Sequence, residues 1–141
     1  MRNRIIYFLL STLGIISILN SCQNEDGINY KRYYVNGKGI YEKNCQSCHG
    51  QDGKGLGTLY PPLTDSIYLI QNKNKLACII KYGQNEPVKI NKTLFEGNMP
   101  GNPALADIDI AQLIVYITNS FGNKQGFYSD QQVLKDLNNC K

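Results

Sequence analysis

The residues with the clearest capacity for chemistry are two cysteines and a histidine, Cys45, Cys48 and His49, in the order Cys-Gln-Ser-Cys-His. Two thiols at this spacing lie about one helical turn apart, so both can add to the vinyl groups on one edge of a porphyrin. The adjacent imidazole then lies under the iron, where its Nε2 atom can bind the metal. The motif therefore predicts one covalently attached haem, haem c.

Three other functions of the motif are alternatives to haem attachment. Zinc could be bound by the motif cysteines together with Cys78 and Cys140, although these two do not form a second Cys-x-x-Cys pair. A thioredoxin-like redox site would need strands around the motif, and no strand–helix–strand pattern is present. A simple disulfide between Cys45 and Cys48 would leave His49 without a role. The sequence favours haem over all three.

The second axial ligand of the iron can be sought by elimination. His49 is the only histidine, which excludes a second imidazole from this chain, and Met1 would leave with an export signal. Met99 is then the only methionine, and it lies in residues 97–101, Gly-Asn-Met-Pro-Gly, where glycine and proline favour a loop. A methionine that only fills a core gap is expected on an apolar stripe instead. Met99 is therefore the predicted sixth ligand, and a thioether ligand raises the haem potential.

The amino-terminal region has the pattern of an export signal. A short positive segment containing Arg2 and Arg4 precedes the apolar run 5–19, which is shorter than the ~20 apolar residues of a spanning helix. The run ends in residues 19–22, Leu-Asn-Ser-Cys, which resembles a bacterial lipobox. This resemblance implies cleavage before Cys22 and a thioether-linked lipid on its sulfur. An uncleaved anchor helix is the alternative.

The chain accordingly divides into four parts. Residues 1–21 are a predicted lipoprotein signal peptide and residues 22–35 a polar, lipidated tether without apolar periodicity. Residues 36–122 form the predicted domain, and residues 123–141 a carboxy-terminal extension with a short helix. The mature protein is expected outside the cytoplasm, in the bacterial periplasm or cell envelope, held at a membrane by its lipid.

Charge and composition exclude other classes of function. The chain of 141 residues is 18% charged and 42% hydrophobic, which suits one globular domain. The net charge of +4 (15 basic minus 11 acidic) falls to +2 when the two arginines of the signal are removed. Because no cluster of lysine and arginine suggests a phosphate-binding face, a nucleic-acid partner is not predicted.

Residues 37–122 resemble a class I bacterial cytochrome c domain. Gly37 and Tyr41 precede the first motif cysteine by eight and four residues, the places that in this family pack against a terminal helix, here residues 113–116. Met99 with Pro100 resembles the axial-methionine loop. The Pro-Pro-Leu segment at 61–63 resembles the one whose carbonyl accepts a hydrogen bond from the haem-ligating histidine, and we assign that carbonyl to Pro61.

The resemblance implies an all-α fold, a small cytochrome c-like helical domain wrapped around one covalently attached haem. Asn36 is predicted to cap a first helix that ends near Cys45, and residues 84–105 to be irregular. A short turn of helix is predicted from Ser66, capped by Asp65. Further helices are predicted at 73–82, at 107–120 and, in the extension, at 130–138, capped by Asp130 with Val133, Leu134 and Leu137 facing inward. Since haem forms much of the interior, the apoprotein is expected to be unfolded.

Cys78 and Cys140 have no assigned role in this scheme. In an oxidising compartment they are predicted to form a disulfide that ties the extension to the middle helix, and two separate thiols are the alternative.

An iron whose two axial positions are filled points to a single-electron carrier and not to an enzyme. Its partners are expected to be redox proteins, met transiently or as subunits of one complex. If Met99 does not bind the iron, a haem-based gas sensor or a peroxidase-like enzyme becomes the alternative.

Overall fold

Helices dominate the computed structural model, which describes residue 4 and residues 25–140. The predicted lipidation site Cys22 and, apart from Arg4, the predicted signal peptide lie outside the described residues. The α-helices of residues 25–140 are α1 Glu25–Asn44, α2 Gln46–His49, α3 Ser66–Gln71, α4 Leu76–Tyr82, α5 Asp107–Ile117 and α6 Asp130–Leu137, with a 3₁₀ turn at Lys73–Lys75 before α4. No described helix is long and apolar enough to cross a membrane. The all-α prediction is confirmed.

Two pairs of very short antiparallel strands lie between α4 and α5. β1, Gly83–Gln84, pairs with β4, Met99–Pro100, and β2, Val88–Ile90, pairs with β3, Thr93–Phe95. The prediction of an irregular segment over 84–105 is therefore wrong at these strands. Elements of two or three residues are too short to show the alternation of apolar and polar residues that predicts a strand.

The core centres on the crossing of α1 and α5. A Cβ on Gly37 would overlap the carbonyl group of Gln112 and lie 2.9 Å from Tyr116 Cβ, so only glycine lets the helices approach this closely. Tyr41 is 1% exposed, and its ring centroid is 5.4 Å from that of Tyr116. The predicted packing of Gly37 and Tyr41 on the terminal helix is confirmed.

Two neighbouring glycines of α1 provide a matched test of this crossing. Gly37→Ala should lower the free energy of unfolding by about 1–3 kcal/mol, because the added methyl forces the helices apart. Gly39→Ala should raise it by about 0.5–1 kcal/mol, since nothing lies within 4 Å of a Cβ there and alanine favours the helix. Guanidinium unfolding of the haem-loaded protein measures both. Equal effects of the two substitutions would show that the close approach is not needed.

The first helix starts much earlier than predicted, at Glu25 instead of after Asn36. The interpretation of residues 25–35 as an irregular tether is therefore wrong. Aromatic side chains cause the difference: Tyr33 is 6% exposed, with its ring centroid 4.8 Å from that of Phe127, and Tyr34 Oη accepts a hydrogen bond of 3.0 Å from Ser120. The amino-terminal half of α1 is thus part of the folded domain.

The extension folds back onto the middle of the domain. Ser129, and not Asp130, caps α6, because its Oγ accepts a hydrogen bond of 3.2 Å from the backbone N–H of Gln132. Val133 is fully buried as predicted, but Leu134 is 52% exposed and the prediction that it faces inward is wrong. A disulfide joins Cys140, just after α6, to the middle of α4 at Cys78.

Candidate haem site

The Cys-x-x-Cys-His motif lies where α1 passes into α2. The backbone N–H of Cys45 donates to the carbonyl of Tyr41 at 2.9 Å, and that of His49 donates to the carbonyl of Cys45 at 3.0 Å. The motif therefore continues a helical turn that starts on the buried face of α1. The Tyr41 hydroxyl also donates to the carbonyl of Gly50, 2.5 Å away, which fixes the chain just after the histidine.

The orientation of His49 is set by the loop that follows it. Its Nδ1 lies 3.0 Å from the carbonyl oxygen of Pro61, and since a carbonyl can only accept, Nδ1 carries the proton. The Nε2 lone pair is then free for a metal. His49 is 7% exposed, and burial lowers the pKa of its imidazole, while the Pro61 hydrogen bond acts in the opposite direction. The neutral, metal-binding form is therefore favoured.

Cys45 and Cys48 are not joined to each other, so the alternative of a disulfide between them is not realised. Burial, and next the charge of Cys48, raises the pKa of Cys45 to about 11. Before haem is attached, the thiol of Cys45 is consequently protonated at neutral pH.

A deep apolar cleft opens beside the motif. It contains about 1020 Å³ of empty space, a volume that includes space open to solvent. Cys45, Cys48, His49 and Met99 all line it. The remaining lining residues are mostly aliphatic or aromatic and include Leu63, Tyr68, Leu69, Leu76, Ile80, Phe95, Leu113 and Ile117.

The backbone of Met99 is tied to the end of α4 through the pairing of β1 with β4. A Cβ on Gly83 would lie 2.5 Å from the Met99 carbonyl oxygen, so the two strands touch where a side chain has no room. After the methionine, Lys81 Nζ donates to the carbonyls of Pro103 at 3.0 Å and Leu105 at 2.7 Å. These contacts hold the Met99 segment at the edge of the cleft.

The competing metal and redox uses of the motif find no support in the described part of the chain. Cys78 is joined to Cys140, and the described side chains, those of residues 27–140, include no group of three or more His, Cys, Asp or Glu that could hold a metal ion. The motif also lies between helices, without a neighbouring strand of the kind a thioredoxin-like site requires.

The residues present fit a haem. Two thiols, an imidazole and a thioether line one cleft whose other walls are mostly apolar, which matches a flat, apolar macrocycle with an iron at its centre. The thiols can hold the porphyrin edge, and the imidazole and the thioether are iron ligands of complementary type.

Asn123 is a positioning residue that sequence reasoning missed. Its side chain donates to the carbonyls of Leu63, at 2.8 Å, and Ile117, at 3.1 Å, and accepts from Ser66 Oγ at 2.6 Å. It thus joins the loop after the Pro61 segment to α3 and α5. A 2% exposed asparagine surrounded by polar partners has no periodic signal in the sequence. Only its place just after Gly122 hints at a turn.

Comparison with known proteins agrees with this geometry. Residues 34–121 match the family Cytochrome c, which is more than half of the chain. The chain therefore belongs to the cytochrome c family. As a class I c-type cytochrome it carries one covalently bound haem c, and the family's role is electron transfer.

Relatives include both subunits and a small cytochrome. The cytochrome c subunit of alcohol dehydrogenase (quinone) from Gluconacetobacter polyoxogenes is 33% identical over 92 residues, 64% of this chain and 19% of that protein. Subunit FixP of the cbb3-type cytochrome c oxidase from Bradyrhizobium diazoefficiens is 30% identical over 117 residues, 78% of this chain and 36% of that protein. Cytochrome c-552 from Thermus thermophilus is 27% identical over 93 residues, which are 63% of this chain and 70% of that protein. The chain thus spans about a fifth of the dehydrogenase subunit and most of cytochrome c-552.

Proposed function

We propose that this protein is an exported single-electron carrier, anchored to a membrane by a lipid on Cys22, whose haem iron is held by His49 and Met99. The observation that carries the proposal is that His49 and Met99 line the same apolar cleft as the two motif thiols. When bound there, haem supplies an iron that takes up and gives back one electron.

Each protein group has a defined part in this function. Cys45 and Cys48 attach the porphyrin by thioether bonds, so the cofactor stays bound in a domain too small to enclose it. Pro61 holds the proton on His49 Nδ1, which leaves Nε2 for the iron and makes the imidazole a better donor. Met99 would hold the iron through its thioether sulfur, so that no substrate could bind the metal and the protein would transfer electrons without catalysing a reaction.

Met99→Ala tests the ligand assignment. The variant should lose the weak far-red absorption band of methionine-bound ferric iron and bind carbon monoxide readily in the ferrous form. Its midpoint potential should fall, since axial ligands set haem potentials over a range of ~0.8 V and a thioether favours ferrous iron. Optical spectra and redox titration of the purified protein measure all three.

Glu96→Gln is the matched control, because Glu96 is exposed in the same segment and does not line the cleft. Its spectrum and potential should equal those of the unchanged protein. Unchanged far-red absorption in Met99→Ala would disprove the ligand assignment, and the gas-sensor or peroxidase-like alternative would then replace the electron carrier.

The proposed lipidation of Cys22 can be tested independently of the haem ligands, by labelling and mass measurement. Cells fed radioactive palmitate should label the unchanged protein, and intact-mass measurement should show a chain that starts at residue 22 with acyl groups. Cys22→Ala should carry no label and should retain the leader segment, because the sulfur that receives the lipid is missing. Label retained by the variant would contradict the assignment.

The electron partners are proposed from the relatives' names. Those relatives are cytochrome subunits of dehydrogenases and an oxidase as well as a small cytochrome. We infer that this chain exchanges electrons with a membrane-associated oxidoreductase, either as its subunit or as a transient partner. A stoichiometric partner that co-purifies from gentle detergent extracts would identify the subunit case, and its absence the transient one.

A further inference from the structure

Helix α1 exposes two aliphatic side chains on the face that points away from the domain. Ile28 is 67% exposed and Val35 66%. They are seven residues apart, so they lie two turns apart on the same side of the helix. The opposite side of α1 carries Tyr33, Gly37 and Tyr41, all buried in the domain.

Positive charge flanks this apolar stripe. Lys31 and Arg32 lie on either side of the line from Ile28 to Val35, both are exposed, and neither takes part in an ion pair with a side chain of residues 27–140. The Arg32 guanidinium donates a hydrogen bond of 3.1 Å to the side-chain oxygen of Asn29. We call Ile28, Lys31, Arg32 and Val35 the outer face of α1.

The position of the outer face along the chain identifies what can cover it. Cys22 precedes the first residue of α1 by three positions, a step that spans at most about 11 Å even when fully extended. This inference rests on the proposed lipidation of Cys22. With the lipid in a bilayer, the start of α1 cannot leave the headgroup region.

We propose that the outer face of α1 lies on the bilayer surface, with Ile28 and Val35 inserted among the headgroups and Lys31 and Arg32 at anionic phosphates. Exposed aliphatic residues flanked by basic ones are the pattern of helices that lie in a membrane interface. A second copy of the chain is a poor occupant, because pairing two outer faces would bring like charges together.

The lipid and the outer face have different tasks in this arrangement. Two aliphatic side chains hold a protein to a membrane only weakly, but a lipid on Cys22 already keeps the face at the surface. The face then selects one orientation. Because α1 is 20 residues, or about 30 Å, long and Cys45 follows its end, a flat helix brings the haem site close to the bilayer, whereas an upright one holds it about 30 Å away.

The haem itself can report the orientation. The full lipidated, haem-loaded protein is placed in oriented multilayers of phosphatidylethanolamine and phosphatidylglycerol, and the linear dichroism of the haem absorption band is measured. One fixed orientation should give a dichroic signal that Ile28→Asp/Val35→Asp reduces to that of an isotropic sample. The matched control is Ile67→Asp/Ile70→Asp in α3, where the isoleucines are 67% and 58% exposed. This control should keep the full signal.

Three other results of these experiments would overturn the inference, and each points to a different cause. An isotropic signal from the unchanged protein, or equal loss in both double variants, would mean that the outer face does not orient the molecule. A dimer in detergent that only Ile28→Asp/Val35→Asp disrupts would assign the face to a second copy. Protein that fails to remain with the lipid, despite a normal haem spectrum, would instead disprove the anchor on Cys22.

Discussion

Without its haem, the chain is expected to lose most of its helical structure and its cooperative thermal transition. The cleft walls include residues that also belong to the core, namely Leu69, Leu76, Ile80, Leu113 and Ile117. In the absence of the cofactor these side chains would face a water-filled space of about 1020 Å³, open in part to solvent. A domain of this size has little other apolar surface with which to offset the conformational entropy of folding.

The apoprotein can be prepared from the variant Cys45→Ser/Cys48→Ser, exported so that the Cys78–Cys140 disulfide forms. Haem held without thioethers can be removed with acidified acetone, and circular dichroism then follows the helical signal on heating. Ser47→Ala, between the two cysteines, is the matched control and should keep its haem and its transition. A cooperative melt of the haem-free variant, close in temperature to that of the control, would disprove the expectation.

Loss of the Cys78–Cys140 disulfide should lower the free energy of unfolding by about 4 kcal/mol. The bond closes a loop with a sequence separation of 62, and the chain-entropy model gives a cost of this size for opening it. Cys78→Ser/Cys140→Ser should therefore unfold at a lower denaturant concentration. The haem spectrum should stay unchanged, because neither cysteine lines the cleft.

A reducing agent supplies the control for that measurement. Thioether bonds to haem resist thiol reagents, so dithiothreitol should lower the stability of the unchanged protein to that of the double variant. It should leave the double variant itself unaffected. If the double variant were as stable as the unchanged protein, the bond would not be what fastens the extension.

Local sequence signals were sufficient for much of the fold. Asp65 caps α3 as predicted, with its carboxylate 2.9 Å from the backbone nitrogen of Tyr68. The predicted helix at 107–120 is present as α5, although it ends at Ile117, and its Ile110, Leu113 and Ile114 recur at helical spacing and are buried. Capping and periodicity are properties of neighbouring residues, so they can be read from the chain alone.

The errors have a common origin in contacts between distant parts of the chain. The sequence predicts too late a start for α1 because Tyr33 and Tyr34 lie among polar residues and become apolar anchors only where they meet Phe127 and Tyr116. The exposure of Leu134 depends on the orientation of α6 about its own axis where it packs on α4 and α5. The spacing of the apolar residues within α6 does not determine that orientation.

The candidate site likewise contains some residues whose role the sequence alone predicts and one whose role it does not. The motif thiols and imidazole are adjacent in sequence, and their chemistry follows from their spacing. Met99 could be singled out because the chain has so few methionines and histidines. The role of Asn123 could not be predicted from the sequence, because it depends on three partners that come together only in the fold.

Helix α4 connects the methionine segment to the carboxy-terminal extension. It passes directly into β1, which pairs with Met99, its Lys81 binds the carbonyls after that strand, and its Cys78 is bonded to Cys140. A local opening that frees Met99 must therefore disturb a helix that is covalently fixed at a second point. In native-state hydrogen exchange, we expect the amides of α4, of the Met99 strand and of α6 to become exposed together as one cooperative unit.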